Sequence, residues 1–130
     1  MRELSMEELN KITEAIIGAA IEVHRHLGPG LLESAYREYL RYELIQRGYD
    51  PRQEVLLLLT YNDVKLDCGY RLDLLVNDAV IVEIKSVESL AGIHDAQLLS
   101  YLKISGGKLG LLLNFNVKML KHGGAKRLAN

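Results

Sequence analysis

Three ionisable residues, Asp73, Glu83 and Lys85, interrupt the otherwise apolar run Gly69-Tyr-Arg-Leu-Asp-Leu-Leu-Val-Asn-Asp-Ala-Val-Ile-Val-Glu-Ile-Lys85. The run reads as two short strands joined by a turn at Asn77-Asp78. Charges inside buried strands are costly unless they are paired or bind a metal. Two carboxylates suit a hard cation such as Mg²⁺ or Mn²⁺, which keeps several waters and completes its shell with a substrate phosphate. A lysine beside them could orient or deprotonate an attacking water, or stabilise charge on the phosphate. The bland alternative is a solvated salt-bridge cluster on an exposed sheet face.

Register decides whether the three groups meet. Side chains alternate faces along a strand, so Glu83 and Lys85 share one face and Val82 and Ile84 the other. On the preceding strand Arg71, Asp73 and Leu75 share a face, with Leu72, Leu74 and Val76 opposite. A two-residue turn at 77–78 sets Asp73 opposite Val82 and separates the carboxylates. A three-residue loop at 77–79, or a bulge, sets Asp73 opposite Glu83. The metal-site reading therefore requires an odd loop or a bulge.

Composition narrows the class. A chain of 130 residues, 48% hydrophobic and 25% charged, reads as one soluble domain spanning 1–130, large enough for a real core. A formal net charge of −1 argues against a basic nucleic-acid coat but leaves room for a local groove. Lys118, Lys121, Lys126 and Arg127 make the tail locally basic, and solvation accounts for each taken singly. The lone Cys68 excludes an intrachain disulfide and fits a reducing compartment. No apolar run approaches membrane length, and the acidic start is unlike a signal peptide. The expected location is the cytoplasm.

The elements that must position these groups read in order. Ser5-Met-Glu-Glu8 is a capping box. It opens a helix with Leu9, Ile12, Ile16, Ala19, Ala20, Val23 and Leu27 on one stripe, ended by Gly28-Pro29. His24 and His26 lie near its C-terminus, where a cap or surface role suffices; His24 is the better functional candidate. A second helix runs from Leu31 to about Arg47, with Leu32, Ala35, Tyr39, Leu40 and Leu44 as its apolar side. Glu33, Tyr36 and Arg37 fall on an adjacent face, and a dipole role alone would explain Glu33. Tyr36, Tyr39 and Tyr42 could line an interface, though core packing accounts for at least two of them. A strand from Arg52 to Thr60, a turn at 61–63 and a strand from Val64, interrupted at Asp67-Cys68-Gly69, precede the charged hairpin. A helix over about His94–Ile104 carries Gln97 and Tyr101 one turn apart. Leu109 to Phe115 then reads as a strand buried on both faces, followed by a short polar tail.

Gly30-Leu-Leu-Glu33-Ser-Ala-Tyr36 resembles the signature of the GxxExxY proteins, a group within the PD-(D/E)XK nuclease superfamily, and the resemblance covers nearly the whole chain. Asp73 with Glu83-Ile-Lys85 matches the superfamily's metal-binding and catalytic pattern. Gln97-Leu-Leu-Ser-Tyr101 is similar to the Gln-x-x-x-Tyr motif of its helicase-associated exonuclease branch, whose Gln and Tyr help position substrate and active-site groups. Glu33 would correspond to the acidic residue contributed by the superfamily's first-layer helix. One departure is Leu72, where the superfamily's name has Pro.

The resemblance implies an α/β fold with a central mixed sheet flanked by helices, in the order ααβββαβ. It also implies a Mg²⁺- or Mn²⁺-dependent hydrolase of nucleic acid, DNA ahead of RNA. Asp73, Glu83 and Glu33 would be the metal ligands, Lys85, Gln97 and Tyr101 would join them in catalysis, and His24 and Tyr36 would be accessory. The rival reading is a non-catalytic nucleic-acid- or protein-binding module that keeps the fold. A third has the domain working as a homodimer, or with a partner protein that supplies the nucleic-acid grip.

Overall fold

The capping box does what its spacing requires. In the computed structural model, which describes residues 1–130, the Glu8 amide donates to Ser5 Oγ at 3.1 Å and the Ser5 amide to Glu8 Oε1 at 3.2 Å. Helix α1 (Met6–Leu27) follows and buries Leu9, Ile12, Ile16, Ala19, Ala20 and Val23. Gly28 ends it at φ 69°, a left-handed angle that suits glycine.

Helix α2 (Glu33–Gln46) starts two residues later than its apolar pattern suggests, with Leu32 as N-cap. Leu31 and Leu32 are exposed loop residues, and the buried stripe is Tyr36, Leu40 and Leu44, spaced by four. Tyr39 and Tyr42 are exposed, so core packing accounts only for Tyr36 of the three tyrosines.

The expected long strands are each broken. β1 (Pro51–Leu56) and β4 (Arg71–Val76) pair in the main sheet, while β2 (Leu59–Tyr61) and β3 (Val64–Leu66) form a separate hairpin at their far ends. Asn62 and Asp63 both have positive φ in the turn of that hairpin, the conformation of a type I′ turn. β5 (Val80–Lys85), α3 (Gly92–Ser105) and β6 (Leu109–Asn114) form a crossover, with β5 and β6 parallel. The tail is not a loose polar appendage. Ala125–Ala129 forms a strand, β7, antiparallel to β6, where Lys126 pairs with Asp95 and Arg127 bonds Asn10.

The sheet order is β1-β4-β5-β6-β7, a mixed sheet with helices on both faces. One face packs α1 and α2 through Leu74, Val76, Val80, Val82, Ile84, Leu111 and Leu113. The other packs α3 through Leu72, Leu75, Ile81 and Leu112. No helix is long and apolar enough to cross a membrane.

Candidate active site

The hairpin register is the one that unites the acids. Pairs Leu74↔Val82, Leu75↔Ile81 and Val76↔Val80 leave a three-residue loop, 77–79. Asn77 and Asp78 hold positive φ, which Asn and Asp tolerate better than most residues. Extending this register would set Asp73 opposite Glu83, but the backbone ladder stops at Leu74↔Val82.

Beyond that point the side chains take over from the ladder. The Asp73 amide donates to Glu83 Oε2 at 2.9 Å, and the Ile84 amide donates to Asp73 Oδ2 at 2.7 Å. Each carboxylate thus satisfies an amide on the opposite strand, as buried backbone donors require. Strand alternation also slips here. Leu72 packs on the α3 side with Leu75, whereas Leu74 and Val76 pack on the α1–α2 side, so the expected common face for Leu72 and Leu74 is not formed. The β1–β4 pairing skips Glu54 and Asp73 at the same level, with Glu54 at φ 49°. Irregular pairing on both sides of Asp73, with β1 and with β5, interrupts the sheet where the charges lie.

Burial sets the electrostatics. Glu83 is 4% exposed, and Asp73 is half-buried. Loss of solvent pushes Glu83 up to about 8, helped by the Asp73 charge and opposed by the hydrogen bond from the Asp73 amide and by Lys85. Burial also raises Asp73, against the Ile84 hydrogen bond and the charges of Lys85 and Arg37. The Asp73 charge opposes ionisation of Glu83, so the two acids are linked in their titration.

The surrounding residues arrive from both helical layers. Lys85 follows Glu83 on β5 and takes part in none of the ion pairs of the chain, yet its charge draws both acids down. Glu33, in the first turn of α2, accepts the Ser86 amide on Oε2 at 3.1 Å, and Ser86 Oγ donates to the Leu31 carbonyl at 2.7 Å. These bonds fasten the start of α2 to the end of β5. On α3, Tyr101 is buried and sits edge-on to Tyr70, with ring centres 5.9 Å apart. Burial, then the Glu83, Tyr70 and Asp73 charges, raise its phenol, while Gln97 acts in the opposite sense.

His24 and Tyr36 lie elsewhere. His24 Nε2 donates to the Val117 carbonyl at 2.7 Å, tying the end of α1 to the β6–β7 loop. The Tyr36 hydroxyl donates to the Gly28 carbonyl at 2.6 Å and accepts the Leu31 amide at 3.1 Å. Its ring stacks on Phe115 at 4.5 Å. Tyr36 therefore clamps the loop from which Glu33 starts.

Arg37 is the neighbour that the sequence placed on the face of Glu33 without giving it a role. It lies one turn beyond Glu33, pairs with Glu54 at 3.2 Å, and its charge reaches Asp73. Its buried Nε has no hydrogen-bond partner. The i, i+4 spacing to Glu33 was the available signal.

A family model of the PD-(D/E)XK nuclease superfamily matches residues 10–128. The chain belongs to the PD-(D/E)XK nuclease superfamily. No curated protein and no solved structure matches it. Membership supports a nuclease-like function, and the mixed α/β architecture agrees with the PD-(D/E)XK fold.

Nucleases of this superfamily usually use divalent metals, and the donor set can be tested against that habit. Asp73 and Glu83 each commit one oxygen to a backbone amide, leaving a second oxygen on each of two mutually repelling acids. That pair fits a hard cation, which would relieve the repulsion. No group of three His, Cys, Asp or Glu side chains converges as a metal cage; Glu33, like the other two acids, gives one oxygen to a backbone amide, that of Ser86. A cation held there would take its remaining ligands from water and substrate oxygens.

Proposed function

We propose that this chain is a divalent-metal-dependent phosphodiesterase acting on nucleic acid, DNA ahead of RNA, and a member of the GxxExxY group. The observation that carries the reading is the paired exchange in which Asp73 and Glu83 each cap the other strand's amide. It leaves one further oxygen on each acid, with Lys85 on the same strand as Glu83.

Held by Asp73 and Glu83, with Glu33 nearby, Mg²⁺ or Mn²⁺ would supply charge neutralisation and a more acidic water. Lys85 contributes a positive charge for the phosphoryl oxygens, or holds the attacking water. Tyr101 and Gln97 stand on the α3 side of the acids and orient the phosphate or the lysine. Tyr36 and His24 act at one remove, by fixing the loop that launches Glu33 and the loop after β6. The single exposed Cys68 fits a reducing location such as the cytoplasm. Exposed Tyr39 and Tyr42 on α2 are the surface on which a homodimer or a partner protein would sit.

Cleavage of single-stranded, duplex and branched substrates in Mg²⁺ and Mn²⁺ tests the reading, with Asp73→Asn, Glu83→Gln and Lys85→Ala in parallel. Each variant is expected to lose at least about 100-fold in rate, the usual effect of removing such a group. Equal trace cleavage by wild type and all three variants would refute it. That result would favour a binding module that retains the fold, a reading on whose side stands the lack of a three-carboxylate cage.

A further inference from the structure

A groove of about 410 Å³ lies between the β2–β3 hairpin and α3. Tyr70, Ile93, His94, Gln97, Tyr101 and Ile104 are among its lining residues. One of these, Tyr101, feels the charges of Glu83 and Asp73, which puts the groove beside the acids. The size is that of an ordinary small-ligand site. The lining includes no Lys, Arg, Asp or Glu, so the groove is ill-suited to a phosphate backbone. It offers apolar and aromatic surface instead: Tyr70 is 42% exposed and Ile93 71% exposed.

Polar edges accompany that surface. The Ala91 amide donates to His94 Nδ1 at 3.0 Å, which leaves Nε2 as the donor of a neutral ring. The Gln97 side chain adds a donor and an acceptor. An aromatic face with a few neutral hydrogen-bonding groups is what a nucleobase requires. The cations whose charge reaches the acids, Lys85 and Arg37, come from β5 and α2 rather than from the groove. Phosphate and base would therefore be received on separate walls.

We propose that this groove receives an unstacked base of single-stranded nucleic acid, or of a frayed end, beside the carboxylate pair. The identity of the occupant rests on the nuclease reading above. Bases inside a duplex are already stacked and must be extruded to enter, at a cost of a few kcal/mol. A chain of net charge −1 has little general electrostatic attraction to offset that cost. The substrate class is therefore single-stranded, with base stacking supplying much of the grip.

The test separates binding from cutting. Affinity is measured by fluorescence anisotropy in EDTA, using a short labelled single-stranded DNA and the matching blunt duplex. A 2-aminopurine at one end reports stacking by quenching. Wild type should prefer the single strand. Tyr70→Ala should weaken that binding by about 5- to 150-fold, the range for one base–aromatic stack, and abolish the quench. Tyr70→Phe should retain both, and Ile93→Ser, at a highly exposed position, should weaken binding without disturbing the fold.

Equal binding by wild type and Tyr70→Ala, or equal affinity for duplex and single strand, would overturn the proposal. So would a wild-type dimer in sedimentation that Ile93→Ser dissociates, since the groove would then be a protein interface. A cleavage assay in Mn²⁺ keeps the two readings apart. Binding that depends on Tyr70 with no cleavage at all sinks only the nuclease reading. Cleavage of single strands by Tyr70→Ala with unchanged KM sinks only the groove.

Discussion

Replacing Glu83 by Gln should stabilise the metal-free fold at alkaline pH while removing its response to a divalent cation. The folded protein holds Glu83 at about 8, against 4.5 for a free carboxyl. A raised acid pKa means that the fold prefers the protonated form. Below about 4.5 folded and unfolded states are both protonated, and this group gives no pH dependence. Between there and about 8 stability falls as pH rises, by at most about 1.4 kcal/mol per unit. The whole shift corresponds to about 5 kcal/mol, an upper bound because part of it depends on the charge of Asp73.

The Gln amide oxygen can still accept the Asp73 N–H, which Glu83 Oε2 takes at 2.9 Å, but it carries no charge. Urea unfolding in EDTA between pH 6 and 9 should show wild type losing stability up to about pH 8 and levelling off above it. Glu83→Gln should stay flatter and exceed wild type by about 2–5 kcal/mol at pH 9. Mg²⁺ or Mn²⁺ at a hundred times its Kd should return about 2.7 kcal/mol to wild type and little to the variant. A variant less stable than wild type at pH 9, or a constant difference from pH 6 to 9, would refute the reasoning.

Gly110 sits where α3 presses on β6: a Cβ there would meet Leu98 Cδ1 at 2.8 Å. Gly110→Ala should therefore cost about 1–3 kcal/mol in urea unfolding. Tyr36→Phe removes a hydroxyl that bridges Gly28 and Leu31; it should cost about 1–3 kcal/mol by the same measurement, with its stacking on Phe115 intact. Ser5→Ala should cost about 1 kcal/mol through loss of the α1 cap seen at Glu8.

The parts of the fold that a one-dimensional pattern controls were legible. Period-3.6 spacing and a capping box place α1, and an unbroken apolar run places β6. The rest depended on contacts that the sequence does not display. Leu31 and Leu32 continue a helical pattern, but tertiary bonds from Tyr36 and Ser86 hold Leu31 in a loop. The tail reads as polar because Lys126 and Arg127 face outward, which hid the half-buried Ala125 and Leu128 of an edge strand. For the site, Asn77-Asp78 announced a turn but not its length, since Ala79 fits either loop. Nor could alternation reveal the slip at Asp73, because its neighbours Leu72 and Leu74 are apolar and both faces of the sheet are buried.

That slip explains why charge is tolerated here at all. In a regular β4–β5 ladder of this register only one of the Asp73 and Ile84 amides would face the partner strand, so the two acids could not both take a donor across it. Ending the ladder at Leu74↔Val82 frees both amides to bond the carboxylates, so a defect in pairing becomes the means of holding the pair. The same economy makes these acids structural as well as chemical. Truncating Asp73 to Ala would strand the Ile84 amide, whereas Asn keeps an acceptor for it. Loss of activity in Asp73→Ala would therefore conflate lost chemistry with a loosened strand, and the amide variants carry the argument about catalysis.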